Sequence, residues 1–217
     1  MSEPINEASV TELGNPAKPT GEAGAQMLER MNESHAAVTA WGLTCLDLQA
    51  ASRVLDIGCG GGACLQKMAQ TVTAGHLTGV DYSAVSVAQS RALNAAAIAQ
   101  GRMGIAEGSV EALPFADAAF DRIVTVESFY FWPNPQENLR EVRRVLAPSG
   151  IFVLIADICD CDTLTEHERE NIAKYNLYNP TPAQFHALLE NAGFDPVQIH
   201  LRGEGKSWIA AEGRAKE

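Results

Sequence analysis

Apolar positions along the chain fall into two rhythms. Between Ala23 and Gln49, residues Met27, Leu28, Met31, His35, Val38, Trp41, Leu43, Leu46 and Leu48 recur near helical spacing, which predicts one or two helices. Beyond residue 52, short apolar runs alternate with helical stretches. Strands are predicted at 53–57, 76–80, 102–107, 121–127 and 151–156, with a closing pair near 197–202 and 206–211. The helices between them fall at about 63–71, 83–100, 135–146, 165–175 and 182–192. Ser83 reads as the cap of its helix, and Pro135 opens another that must stop before Pro148 and Gly150. This alternation argues for an α/β fold, a doubly wound, seven-stranded and mostly parallel sheet. Residues 1–22 carry Pro4, Gly14, Pro16, Pro19 and Gly21 with little periodicity and read as a flexible tail. The chain thus divides into that tail and a single domain, 23–217, with a helical cap at 23–50 and a ligand-binding core at 51–157.

The core is organised around Val54–Gly62, which reads VLDIGCGGG. A buried strand runs into four glycines at 58, 60, 61 and 62, where the backbone can turn tightly into a helix and a ligand can come against peptide groups. Asp56 precedes the first glycine. Its carboxylate repels a pyrophosphate and attracts an amine, so the loop suits a zwitterionic methionine tail better than a dinucleotide. Asp81 ends the second strand, where ligands of open α/β sheets bind, and a carboxylate there can accept hydrogen bonds from two vicinal ribose hydroxyls. Tyr82 follows it and can pack against adenine, the plainer reading being an exposed turn residue.

Composition narrows the partners. With 16 Lys and Arg against 27 Asp and Glu, the formal charge of −11 opposes nucleic acid or an anionic membrane surface as the main partner. The densest basic group, Arg140, Arg143 and Arg144, sits among Glu137 and Glu141 and reads as a solvated helix face. No apolar run is long enough to span a bilayer and the first residues are polar, so a cytoplasmic protein is expected. Five cysteines, at 45, 59, 64, 159 and 161, are expected to be reduced thiols. The Cys159/Cys161 pair lacks a second pair or a His at ligand spacing, so no metal site is expected. Cys59, inside the glycine loop, reads as a small packing residue.

The loop at 56–62, DIGCGGG, matches the DxGxGxG motif of the class I S-adenosylmethionine-dependent methyltransferases, and the chain resembles their small-molecule type. GVDYS at 79–83, EALPFADAAFD at 111–121 and LREVRRVLAPSG at 139–150 match at family spacing; the resemblance covers roughly residues 50–157 well. It implies a Rossmann-like methyltransferase fold with an antiparallel C-terminal hairpin, S-adenosylmethionine as cofactor, a small-molecule acceptor, and a monomer or homodimer. It also implies that Asp56, Gly58, Cys59, Gly60 and Gly62 line the cofactor, with Asp81 and Tyr82 at the nucleoside. Gly108–Phe115 resembles the loop that wraps the adenine, with Val110 and Glu111 at its edge. Ser109 stands where relatives commonly carry an acid, so the adenine amino group would meet a hydroxyl. Glu127 ends the fourth strand, at the point that faces both the methionine part and the acceptor.

Methyl transfer asks mainly for alignment and, where needed, removal of one proton. The catalytic candidates are His35, Glu127 and Tyr130, beside an aromatic run, Phe129–Trp132, that can wall an apolar acceptor. For His35 the plainer reading is helix packing. Three other functions fit less well. A non-catalytic S-adenosylmethionine-binding protein would keep the loop without an acceptor pocket. A nicotinamide-dependent oxidoreductase is opposed by Asp56 and by the lack of a YxxxK set, and a nucleic-acid methyltransferase by the acidic balance.

Overall fold

The computed structural model describes residue 10 and residues 14–203 and 205–216. Residues 1–9 and 11–13 of the expected tail lie outside the described residues. The rest of that stretch runs over the mouth of the sheet: the Ser83 hydroxyl donates to the Pro19 carbonyl at 2.6 Å, and the Tyr82 hydroxyl meets the Ala17 carbonyl. Two helices follow, α1 (Gly21–Ser34) and α2 (Ala36–Gly42), with a 3-10 turn at Leu43–Cys45.

The strands are β1 (Arg53–Ile57), β2 (His76–Asp81), β3 (Met103–Glu107), β4 (Phe120–Val126), β5 (Leu146–Ala156), β6 (Phe194–Leu201) and β7 (Ile209–Ala215). They form one seven-stranded sheet in the order β3-β2-β1-β4-β5-β7-β6. β1–β5 are parallel, and β7 runs antiparallel to both β5 and β6. The doubly wound fold and its C-terminal hairpin are therefore as the sequence predicts.

Connecting helices lie on both faces. They are α3 (Ala63–Met68), α4 (Ala84–Leu93), α5 (Ala95–Ala99), α6 (Pro135–Val145), α7 (Glu166–Tyr175) and α8 (Pro182–Asn191). Because both faces are covered, the central strands read as unbroken apolar runs. In β1, Leu55 and Ile57 pack with Leu139 and Val142 of α6, while Val54 faces the other way, in the cluster with Leu65 and Met68 of α3.

Several boundaries differ from the prediction: β6 begins at Phe194 rather than 197, α3 ends at Met68 rather than 71, and three further differences have a visible cause. The helix expected at 83–100 is broken at Asn94, whose side chain turns inward to donate to the carbonyls of Gly62 and Ser90 at 3.1 and 3.0 Å. β5 begins at Leu146 rather than 151, crossing Pro148 as it enters the sheet. β7 begins at Ile209 rather than 206: Trp208 is held short of the strand, 6.0 Å from Trp41, with Arg202 and Lys206 over its ring.

Parallel register brings Asp56, Asp81, the residue after β4 (Glu127) and the residue after β5 (Asp157) to the same end of the sheet. No described helix is long and apolar enough to cross a membrane.

Candidate functional site

The glycine loop is tied down from below. The N–H groups of Gly58 and Cys59 both donate to the Val80 carbonyl (2.8 and 3.1 Å), Gly60 N–H to the Asp81 carboxylate (2.9 Å), and Gly62 N–H to the Cys59 carbonyl (2.9 Å). These four amides are therefore spent on holding the loop in shape rather than left open to a ligand. Glycine is required for a different reason. Gly58 and Gly62 sit at φ 71° and 84°, and a Cβ would lie 2.6 Å from the Ser128 side chain at the first and 2.5 Å from both Ser90 Oγ and Asn94 Nδ2 at the second.

Two cavities flank the loop. One, of about 320 Å³, is lined by Gly58, Gly60, Asp81, Tyr82, Ser109, Val110, Glu111 and Glu127, together with Val80, Phe131 and Trp132. The other, of about 280 Å³, is lined by His35, Asp56, Gly58, Cys59, Gly60 and Glu127, with Asn32, Thr39, Gln66 and Lys67 at its polar side. Leu28 and Met31 of α1 border both. The sequence-predicted residues are thus gathered at one place, with two exceptions. Gly62 lines neither cavity and shapes the loop from behind. Tyr130 also lines neither and stands behind Glu127.

Asp56 is the outlier in polar accounting. It is 1% exposed, and neither carboxylate oxygen has a hydrogen-bond partner. Burial pushes its pKa up to about 7, with the Cys64 thiol offsetting part of the rise and the charge of Asp81 adding to it. A buried acceptor without a donor is costly unless a ligand supplies one. Asp81 is different: its oxygens accept from Gly60 N–H and from Ser83 N–H (2.9 Å each), and these bonds oppose the upward shift that burial causes. Burial and the neighbouring Asp56 carboxylate raise the thiols of Cys59 and Cys64 well above the usual range, so neither is a thiolate at neutral pH.

At the end of β4 stands a polar cluster. Glu127, 8% exposed and held at φ 54°, accepts from Asp157 N–H at 2.5 Å and from the Tyr130 hydroxyl at 3.1 Å. The same hydroxyl reaches Asp157 at 3.3 Å. Burial, and then the Asp157 charge, push Glu127 well above the carboxylate range. His35, at the α1–α2 junction, has its pKa lowered by burial, which Asp157 opposes, so its ring is neutral at pH 7. The aromatic run divides: Phe129 and Tyr130 are buried in the core, whereas Phe131 and Trp132 border the Asp81 cavity.

Two positioning features escape sequence reasoning because their partners are far apart in the chain. Asp157 joins Glu127 only through the β4–β5 pairing. The loop carrying Ser109 and Val110 is pinned by α6: Leu113 N–H donates to Glu141 (2.7 Å), and Arg144 bonds Glu141, Asp117 and the carbonyl of Phe115 (2.7, 2.7 and 2.9 Å). In the predicted basic helix face, Arg140 and Arg144 are ion-paired, Arg143 donates to the Gly193 and Leu146 carbonyls, and Arg144 also staples a loop. Arg144→Met should lower stability by about 1 kcal/mol, discounted because the pairs are partly solvated. That corresponds to a melting point lower by about 2–4 °C in a thermal scan.

Comparison with known proteins sets this geometry in context. Residues 55–154 match the family profile described as a methyltransferase domain. The O-methyltransferase resE of Aspergillus sclerotiorum is 32% identical over 161 residues, 71% of this chain and 59% of that protein. The rice 2-methyl-6-phytyl-1,4-hydroquinone methyltransferase 1 is 29% identical over 151 residues, 70% of this chain and 43% of that one. The chain thus spans about half the length of the curated relatives it matches. Among solved structures, a Haloferax volcanii methyltransferase in complex with the Trm112 activator superposes with a TM-score of 0.76 at 18% identity, covering 88% of this chain and 95% of that one, a likeness of fold.

Proposed function

Since the chain belongs to the class I methyltransferases, we propose that it transfers a methyl group from S-adenosylmethionine to a small-molecule acceptor, releasing S-adenosylhomocysteine. The observation that carries the cofactor is Asp56, a fully buried carboxylate with no hydrogen-bond partner at bonding distance and only the weak Cys64 thiol to offset its burial, lining a cavity beside the glycine loop. An α-ammonium group is the donor it lacks. Asp81, which lines the neighbouring cavity, is the acceptor for two ribose hydroxyls. Val80, Val110, Phe131 and Trp132 give that cavity the apolar walls a base needs, and Ser109 offers a hydroxyl to its edge, although that hydroxyl already contacts the Glu111 side chain at 3.3 Å.

The cofactor brings an activated methyl on a sulfonium, so the protein's share is placement. Leu28 and Met31 of α1 line both cavities and give their shared edge an apolar side. Glu127 lines both, and Tyr130 and the Asp157 amide fix its rotamer. His35 faces the same space as a neutral imidazole and can accept one proton from an acceptor hydroxyl at a ring nitrogen. The nicotinamide alternative is disfavoured by the engaged loop amides and by an unpaired carboxylate beside the place a pyrophosphate would take.

Incubation with methyl-labelled S-adenosylmethionine and a panel of phenols and hydroquinones tests the reading. Labelled product with an equal amount of S-adenosylhomocysteine is expected. Tight cofactor binding without transfer to any class of acceptor would favour the non-catalytic binding protein instead.

A further inference from the structure

The sequence offers no metal motif, yet the fold assembles one from three separate elements. We infer that His35, Glu127 and Asp157 form a site for one divalent transition-metal ion beside the Asp56 cavity, which His35 and Glu127 line. One ligand atom from each lies within 4.8 Å of the other two. Ligands about 2.1 Å from a common ion stand roughly 3 Å apart when adjacent, so closure needs shifts of under about 2 Å, the scale of a side-chain rotation.

Three observations favour an ion there. Two carboxylates meet at the end of the sheet, and the ion pairs found among the described residues involve neither Glu127 nor Asp157. Tyr130 gives both a single hydroxyl proton, which leaves lone pairs on each. The Asp157 amide and Tyr130 orient Glu127 from behind, the support that metal-ligating side chains use.

The donor set names the class of ion. One imidazole nitrogen with two carboxylate oxygens suits Mn²⁺, Fe²⁺ or Zn²⁺, whereas Mg²⁺ and Ca²⁺ prefer oxygen alone. Three protein ligands leave open positions towards the cavity that His35 and Glu127 line. An acceptor with an ionisable hydroxyl, such as a phenol or enol, would complete the coordination and ionise more easily there. In that state the ion, not His35, lowers the barrier to deprotonation. This acceptor class rests on the methyl-transfer reading; the metal site does not.

The test is therefore run without cofactor. Chelator-treated protein is titrated with Mn²⁺ and followed by electron paramagnetic resonance, with Mg²⁺ as control. One Mn²⁺ per chain is expected, with nitrogen coupling from the His35 ring and at least tenfold weaker binding in His35→Ala and in Asp157→Asn. Cys161→Ser, which alters the nearby thiol pair, should leave the affinity unchanged. No stoichiometric binding, no nitrogen coupling, equal affinity in Asp157→Asn, or loss only in Cys161→Ser would each overturn the site. The wild-type nitrogen signature decides even if His35→Ala folds poorly. Mn²⁺ binding in a protein that ignores S-adenosylmethionine would instead overturn the function proposed above and leave the metal site standing.

Discussion

Asp81→Asn should bind S-adenosylmethionine about a hundredfold more weakly than the parent protein. The carboxylate is 7% exposed, and each oxygen already accepts one backbone N–H, from Ser83 and from Gly60. Its remaining lone pairs face the cavity, where two ribose hydroxyls would each form a bond to a charged acceptor. Such bonds contribute about 1.5–3 kcal/mol, and exchanging the carboxylate for an amide removes one acceptor and the charge. The same exchange leaves one buried N–H without its partner, a cost of about 1–2 kcal/mol, so the melting point should fall by only a few degrees. Calorimetry and a thermal scan on the same preparation separate the two effects. Unchanged affinity would mean that the nucleoside lies elsewhere.

The second large effect carries the opposite sign for stability. Asp56 has a folded pKa of about 7 against 3.8 unfolded. A raised pKa means the folded state holds the proton more tightly. The contribution to stability is therefore full below pH 3.8, declines as pH rises, and is lost above about 7. Over that window the ligand-free protein should lose about 4 kcal/mol from this group alone. Asp56→Asn removes the titration and should raise ligand-free stability at pH 8 by about 2 kcal/mol, less than the full amount because the buried amide is also unpaired. Its affinity for S-adenosylmethionine should fall by about two orders of magnitude, because the ammonium loses its counter-charge. In the parent protein the ammonium returns Asp56 to its ionised form, so binding near pH 6.5 should release a proton. Urea unfolding at pH 5 and pH 8, and titrations in buffers of different ionisation enthalpy, measure both. A variant less stable than the parent at pH 8 would show that the carboxylate has a partner within the protein.

Much of this was legible in the sequence, and for a physical reason. Short apolar runs carrying Asp56, Asp81 and Glu127 at or near their ends, alternating with helical stretches, argue for central strands of a parallel sheet, and such a sheet gathers their carboxyl ends. Ser83 is a helix cap, its hydroxyl accepting from Ser86 N–H at 3.3 Å. What escaped depends on pairings across the fold. The helix break at Asn94 comes from an amide that reaches back to the glycine loop. Asp157 follows β5 in a stretch that reads as the start of a cysteine-containing loop, and only the sheet order sets it against Glu127 and His35. Arg144 reads as part of a solvated helix face, and only the placement of Leu113 and Phe115 beside it shows the staple. Phe129 and Tyr130, read as acceptor wall, are core residues because the 3-10 turn at Phe129–Phe131 carries both of their rings inward.

The central claim is that the glycine loop and its two carboxylates hold an adenosyl amino acid. Parallel calorimetric titration of the protein with S-adenosylmethionine, S-adenosylhomocysteine and NAD tests it most directly. The geometry predicts micromolar binding of the first two at one site per chain, with no heat from NAD. Binding of NAD alone, or of none of the three, would contradict it.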